Sequence, residues 1–263
     1  MNRFAKISEK EYLGKYGLSH DFLMNLDKES PANPVLLEGI RTDHLFYKYI
    51  LKQDEFNASH VTAPAYIASD KRTASFKEFA AKQVKPIVFQ NQITELNKMK
   101  NNLIEFQFEG RSLKEYFNGA YSNLYLFWET IVNFKKVQCK GQVDILKLTD
   151  DSAIIFDLNV VRNCCDFEPI AESNRVYRKA AYHIAGLKKI RTKLKKIRFV
   201  MITIEEHFPY GVKCYELDDC YLTDGIHENH KLLDTSVQYS LERFFVYDNK
   251  VSILERFRGK KSA

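Results

Sequence analysis

The sequence is poor in the features that mark several large classes. Only 10 of its 263 residues are glycine and 6 are proline, which excludes collagen-like and low-complexity chains. No run approaches the roughly 18 apolar residues that a membrane-spanning helix needs. The opening Met1-Asn2-Arg3-Phe4 has no apolar signal core, so the expectation is a cytoplasmic chain. The 5 cysteines (Cys139, Cys164, Cys165, Cys214, Cys220) are odd in number and form no C-x-x-C pair. That pattern argues against a disulfide framework and against a four-thiolate zinc site. No short period recurs, which argues against solenoids and propellers.

What is present is a chain with 45% hydrophobic, 28% charged and 13% aromatic residues, enough for a sizeable core. The net charge of +6 suits a polyanionic partner without requiring one. Helical spacing of apolar residues predicts a helix after Ser19, as cap, through Leu26 and another from Val35 to Ile50. Further helices are expected over 73–81 and 91–106, with 53–72 read as loop. Beyond Gly110 the character changes. Residues 121–132, 135–146, 153–158, 197–204 and 212–217 read as strands, being rich in β-branched and aromatic residues. Helices are expected over 172–187 and 229–245. The expected class is α+β: a mixed sheet flanked by helices (111–250) behind a helical N-terminal part (1–110), with a basic tail (251–263) in the same domain.

One pair of strands carries chemistry. If Asp150-Asp151 is the centre of a hairpin, Asp144 and Asp157 fall opposite each other, their β-carbons roughly 5 Å apart. Two carboxylates so placed repel each other, and a hard divalent cation between them relieves the repulsion. Asn159, two residues beyond Asp157, shares its face of the strand. Without a metal, the alternative is that Asp157 pairs with Lys140 or Arg162 and the site is structural.

Several segments, in order along the chain, resemble the PD-(D/E)XK nuclease superfamily, in particular the RecE-like phage and prophage exonucleases. They are Gly17-Leu-Ser-His-Asp-Phe-Leu, Ser30-Pro31-Ala32, Tyr47 to Phe56, Leu126-Phe127-Trp128 leading to Cys139-Lys-Gly-Gln-Val-Asp144, Tyr177-Arg-Lys-Ala-Ala-Tyr-His, and Ile204 to Tyr210 followed by Tyr215-Glu-Leu-Asp. The resemblance implies a Mg²⁺- or Mn²⁺-dependent exonuclease core in which Asp144, Asp157 and the carbonyl of Leu158 hold metal. It also implies double-stranded DNA as partner, a homo-oligomer and a cooperating strand-annealing protein.

The departures from that pattern are as informative. Asn159 stands at the lysine position, Asn123 at that of the glutamate, Tyr47 at that of the histidine, and Lys179 at that of a helix glutamine. An amide cannot supply the missing positive charge. Lys179 could replace it from the neighbouring helix, and His44, one turn before Tyr47, could replace the histidine. The expectation leans to a DNA-associated descendant with impaired catalysis and weak or absent metal. An active 5′→3′ exonuclease using Lys179, and a protein-interaction component keeping only the fold, are the rivals.

Other basic residues are candidate phosphate contacts: Lys140, then Lys188, Lys189, Arg191, Lys193, Lys195, Lys196 and Arg198, and the tail Arg256, Arg258, Lys260 and Lys261. A solvated helix end explains the central run equally well. His227 and His230 sit i and i+3, more simply as a helix surface than as a metal pair.

Overall fold

Short polar caps set where the helices begin. Ser8 and Glu11 form a reciprocal capping box at the start of α1 (Glu9–Gly14), and Ser19 Oγ accepts from the Phe22 amide to open α2 (His20–Asp27), satisfying amides that have no partner inside the helix. The computed structural model describes residues 2–27, 45–67 and 70–242. A first strand, β1 (Arg3–Ala5), precedes α1. After α2 come α3 (Leu45–Leu51), α4 (Gln53–Ser59), β2 (Val61–Thr62), α5 (Ala74–Ala81), β3 (Ile87–Val88) and α6 (Gln90–Glu105). A small hairpin, β4 (Gln107–Phe108) and β5 (Arg111–Ser112), leads to α7 (Leu113–Phe117).

The sheet strands follow: β6 (Tyr121–Val132), β7 (Lys135–Leu148) and β8 (Ser152–Val161). A single 3₁₀ turn, α8 (Phe167–Ser173) and α9 (Val176–Ile190) cross over to β9 (Lys196–Glu205), then come β10 (Val212–Glu216) and α10 (Asp219–Glu242). The six-stranded sheet runs β1-β6-β7-β8-β9-β10. Every neighbouring pair is antiparallel except β8 and β9, which the helical crossover makes parallel. This is the expected α+β class, a mixed sheet flanked by helices.

Three expectations need correction. Residues 53–72 are not all loop: α4 and β2 form there, because Phe56 is buried in the core while the rest of α4 is polar. The helix expected over 172–187 is two helices, broken where Arg175 takes a left-handed backbone (φ 50°). The last helix begins at Asp219 rather than Asn229. Ser30 to His44, residues 243–245 and the basic tail lie outside the described residues.

The sheet separates two cores. On one face Phe46, Leu96, Met99 and Leu103 of the N-terminal helices cover Phe156, Leu158 and Val160 of β8. On the other, Leu23, Ala180, Leu187 and Leu232 of α2, α9 and α10 cover Ile155 and Val161. The strict alternation on β8 therefore turns Asp157 and Asn159 toward α9.

Two glycines let α9 lie close to the sheet. A β-carbon on Gly186 would stand 2.8 Å from the Trp128 ring, and one on Gly141 2.8 Å from the His183 ring. Both contacts are too short for any residue but glycine. Gly186→Ala should therefore destabilise the fold by about 1–2 kcal/mol, the crowding of a buried ring outweighing the helix propensity gained. Urea unfolding monitored by far-UV circular dichroism checks this; a rise in midpoint would contradict the packing.

Candidate active site

The hairpin of β7 and β8 has the register expected from its turn. Ile145 pairs with Phe156, Leu146 with Ile155 and Leu148 with Ala153, and Thr149 closes the turn onto Ser152. Ladder pairing ends at Ile145, one residue before Asp144. Val143 and Leu146 both pack in the core under α9, while Ile145 packs in the opposite one. The in–out alternation thus slips by one around Asp144. On β6, the position facing Asp144 across the ladder is Asn123, whose backbone is left-handed (φ 49°). Asparagine tolerates that conformation better than most residues, and a local irregularity of this kind re-aims a neighbouring side chain.

Asp144 reaches across to β8. Its Oδ2 accepts from the Leu158 amide at 2.8 Å. Asp157 is almost fully buried and is held by two groups. Lys179 Nζ, from α9, donates to its Oδ1 at 2.5 Å. Asn159 Nδ2 donates to its Oδ2 and to its main-chain oxygen, each at 3.1 Å. Asn159 thus orients the carboxylate, and the positive charge comes from the helix. Tyr47, on α3, accepts the Val160 amide at 3.2 Å. Its phenol is held above the ordinary value by burial and by the charges of Asp144 and Asp157, so it stays protonated and keeps a hydrogen to donate.

The electrostatics follow from burial and from like charge. Burial first, then the neighbouring Asp157 carboxylate, pushes the Asp144 carboxyl up to about 6, against the lowering effect of Lys179 and the Leu158 amide. Burial would lower the Lys179 pKa, but the two aspartates outweigh it and the ammonium is retained well above its ordinary range. The three charges together leave one net negative charge.

These groups border a cleft of about 370 Å³ whose lining includes Tyr47, Asp144, Leu158, Asn159 and Lys179. Sequence reasoning did not single out several other lining residues, among them His20, Asp21, Lys48, Lys52, Gln142 and His183. Gln142 and His183 carried a readable signal, lying i−2 from Asp144 on its strand and i+4 from Lys179 on its helix. His20 and Asp21 fall within the Gly17 to Leu23 segment that carries part of the resemblance, but no local spacing ties them to the aspartates. They arrive because Leu18 bridges to β7, its amide on Gln138 and its carbonyl on Lys140 and Tyr182. Burial lowers the pKa of both imidazoles.

The other candidates are placed as follows. Asn123 accepts from Gln142 at 2.9 Å beside the aspartates. Lys140 donates to the carbonyls of Tyr12 and Lys15 at 3.2 and 2.7 Å. Lys188 and Lys189 lie at the far end of α9, roughly 14 Å along its axis from Lys179, where both are exposed. Lys195 sits by the hairpin turn, 3.7 Å from Asp151, and Arg191 stacks on Phe4. Arg198 is taken up by Glu109 and Glu216. Of the central basic run only Lys195 is at the hairpin turn, while Lys189 lies beside Asn2 and Glu129 to Ile131 of β6; none of the run lines the cleft. His44 lies outside the described residues. His230 is 3.3 Å from Asp234 on α10. Among the described residues, no group of three or more His, Cys, Asp or Glu side chains is placed to hold a metal ion, and no helix is long and apolar enough to cross a membrane.

The raised Asp144 pKa has a measurable consequence. Its proton is held more tightly in the folded chain than in the unfolded one, so the carboxyl favours folding at pH 4 and that contribution is lost as pH rises through about 6. Asp144→Asn removes the repulsion while keeping an acceptor for Leu158. The variant should gain stability over the parent by about 2 kcal/mol more at pH 7.5 than at pH 4. Chemical denaturation at both pH values checks this, and an unchanged difference would show that the Asp144 carboxyl is not shifted upward in the folded chain.

No family model and no curated protein sequence matches the chain. Solved structures do overlap with it, among them the following two. One is a candidate exonuclease from Eubacterium rectale, at 12% identity over 69% of this chain and 70% of that one, with a TM-score of 0.47. The other is SSO0001, at 15% identity over 78% of this chain and 97% of that one, with a TM-score of 0.32. Likeness of that degree leaves the chemistry of the site to be argued from its own atoms.

Proposed function

We propose that the cleft is a metal-dependent phosphodiesterase site acting on double-stranded DNA, a PD-(D/E)XK nuclease site in which Lys179 replaces the cation lost at Asn159. The single observation that carries this reading is the 2.5 Å contact of Lys179 Nζ with Asp157. An ammonium with 29% of its side chain exposed stands against a nearly buried carboxylate, facing the cleft. An ammonium so placed favours a rearranged enzyme over the impaired descendant expected from the sequence.

The residues fit a hard divalent cation by their donor chemistry. Asp144 and Asp157 offer carboxylate oxygens whose repulsion a cation would relieve, and Leu158 offers its carbonyl oxygen. Mg²⁺ or Mn²⁺ there would polarise the phosphate and acidify a bound water. Net charge in the present arrangement is −1, and Asn123 adds none, so affinity for metal should be weak. Lys179 is placed to steady the negative charge that develops on the phosphate oxygens. Asn159 locks the rotamer of Asp157, and Tyr47 can donate its phenolic hydrogen to the carboxylate or to water. Phosphate contacts along a duplex would fall to Lys48 and Lys52, which line the cleft, with Lys140 beside it. Lys188, Lys189, Arg191 and Lys195 could hold only DNA that extends beyond the cleft. The same proposal includes a homo-oligomer and a strand-annealing partner, which sedimentation and co-purification would reveal.

A specific observation favours the second reading, a DNA-holding protein without catalysis. Among the described residues only two carboxylates converge, and the internal ammonium already satisfies half their charge. End-labelled linear duplex DNA with Mg²⁺ or Mn²⁺ separates the two. The enzyme reading expects metal-dependent shortening of the duplex, lowered at least 100-fold in Asp157→Asn and in Lys179→Gln. It also expects partial recovery when Asn159→Lys is added to Lys179→Gln, because the ammonium returns from the other side. Salt-sensitive duplex binding with no cleavage under either metal would establish the second reading instead.

A further inference from the structure

A second concavity lies on the opposite flank of α9 from the catalytic cleft. Tyr177 lines it, and Lys179, two residues on, is about 200° further round the helix. The groove has a volume of about 260 Å³ and is formed by α8, the first turn of α9, the end of β10 and the start of α10. Its walls are aromatic. Phe167 and Tyr215 have ring centroids 5.3 Å apart, and Tyr177 and Tyr221 6.0 Å apart. Tyr215 already has a cation against its ring, the chain's own Lys213, whose Nζ stands 4.5 Å from the ring centre.

The rim is acidic on a chain whose net charge is +6. Of the four carboxylates around the groove, Glu216 is taken up by Arg198 at 2.6 Å. The other three, Glu168, Glu172 and Asp218, are exposed and have no lysine or arginine among the described residues within ion-pair distance. Their potential reaches the groove wall. The Tyr221 phenol is held above its ordinary value by Glu172 foremost, with Asp218 and Glu168 adding to it. Aromatic walls, an apolar floor at Met201 and Val176, and an anionic rim complement one kind of side chain, a long aliphatic stem ending in a positive charge.

We propose that this groove docks an arginine- or lysine-bearing segment of a partner protein. The volume suits one such side chain with its flanking backbone. Because the groove opens away from the cleft, a docked partner leaves the catalytic face free, and the interaction stands whether or not the cleft cleaves DNA.

Fluorescence anisotropy with a labelled peptide, Gly-Arg-Leu-Arg-Gly-Arg-Leu-Arg-Gly, tests this on the full chain. Saturable binding is expected, weakening with salt. It should fall at least 10-fold in Glu172→Gln/Asp218→Asn and in Tyr221→Ala, and hold in Asp144→Asn/Asp157→Asn. Circular dichroism confirms that each variant is folded. Absence of binding up to millimolar peptide overturns the proposal, as does equal binding by the groove variants or loss confined to the cleft variant. The chain's own basic tail is the competing occupant. If neutralising Arg256, Arg258, Lys260 and Lys261 to glutamine tightens peptide binding 10-fold or more, the tail fills the groove and the partner is not its ligand.

Discussion

Burying two carboxylates side by side is unfavourable, and the arrangement around Asp144 and Asp157 is organised by how that cost is met. A lone buried carboxylate loses its hydration, and a second one nearby adds repulsion that the low-dielectric surroundings amplify. The chain answers with an ammonium on Asp157, a main-chain amide on Asp144 and an amide side chain on the remaining Asp157 oxygen. Each comes from a different element or a different part of one, so the pair requires β7, β8 and α9 to be in place together. The close seating of α9 through Gly141 and Gly186 serves the same constraint, because a lysine can reach Asp157 only from a helix that lies near the strand.

The compensation is incomplete in an informative way. Lys179 and Asn159 both attend to Asp157, while Asp144 is left with one amide and a proton affinity shifted to about 6. The asymmetry separates the roles of the two acids. Asp157 is fixed in rotamer by Lys179 and Asn159. Asp144 is the group whose charge still lacks a counter-ion, and so the one through which an external cation would gain most. An ammonium supplied by the helix rather than by the strand reproduces the net charge of an aspartate–aspartate–lysine set without its usual connectivity.

Much of the frame was legible in the sequence because the strands are long and locally determined. The limits expected for the strand over 121–132 are those observed, and the turn at Thr149 to Ser152 set the hairpin register as far as Ile145 with Phe156; the expected pairing of Asp144 with Asp157 does not form, and Asp144 takes the Leu158 amide instead. The face of β8 followed from simple alternation. What stayed hidden depended on distant contacts. Strand β1 has three residues and exists only because β6 offers an edge. Helix α4 shows no apolar stripe, since Phe56 is its one buried residue. The break between α8 and α9 has no glycine or proline to announce it. His20 and Asp21 join the cleft through the Leu18 bridge, a pairing over more than a hundred residues that no local pattern encodes.

Asn123 shows why a departure from the resembled pattern need not be a defect of this site. A left-handed backbone at that position strains a branched or long side chain by about 1 kcal/mol, and asparagine less. The same irregularity coincides with the slip in alternation that turns Asp144 toward Asp157. A glutamate placed on this backbone would add conformational strain and a third negative charge beside a carboxyl already shifted upward by repulsion. With Lys179 held by Asp157, no second lysine or arginine among the described residues forms an ion pair with either aspartate. Asparagine at 123, asparagine at 159 and lysine at 179 are therefore mutually consistent. Each suits a site with two carboxylates and one ammonium, and changing any one alone would leave a charge or a backbone conformation unmatched.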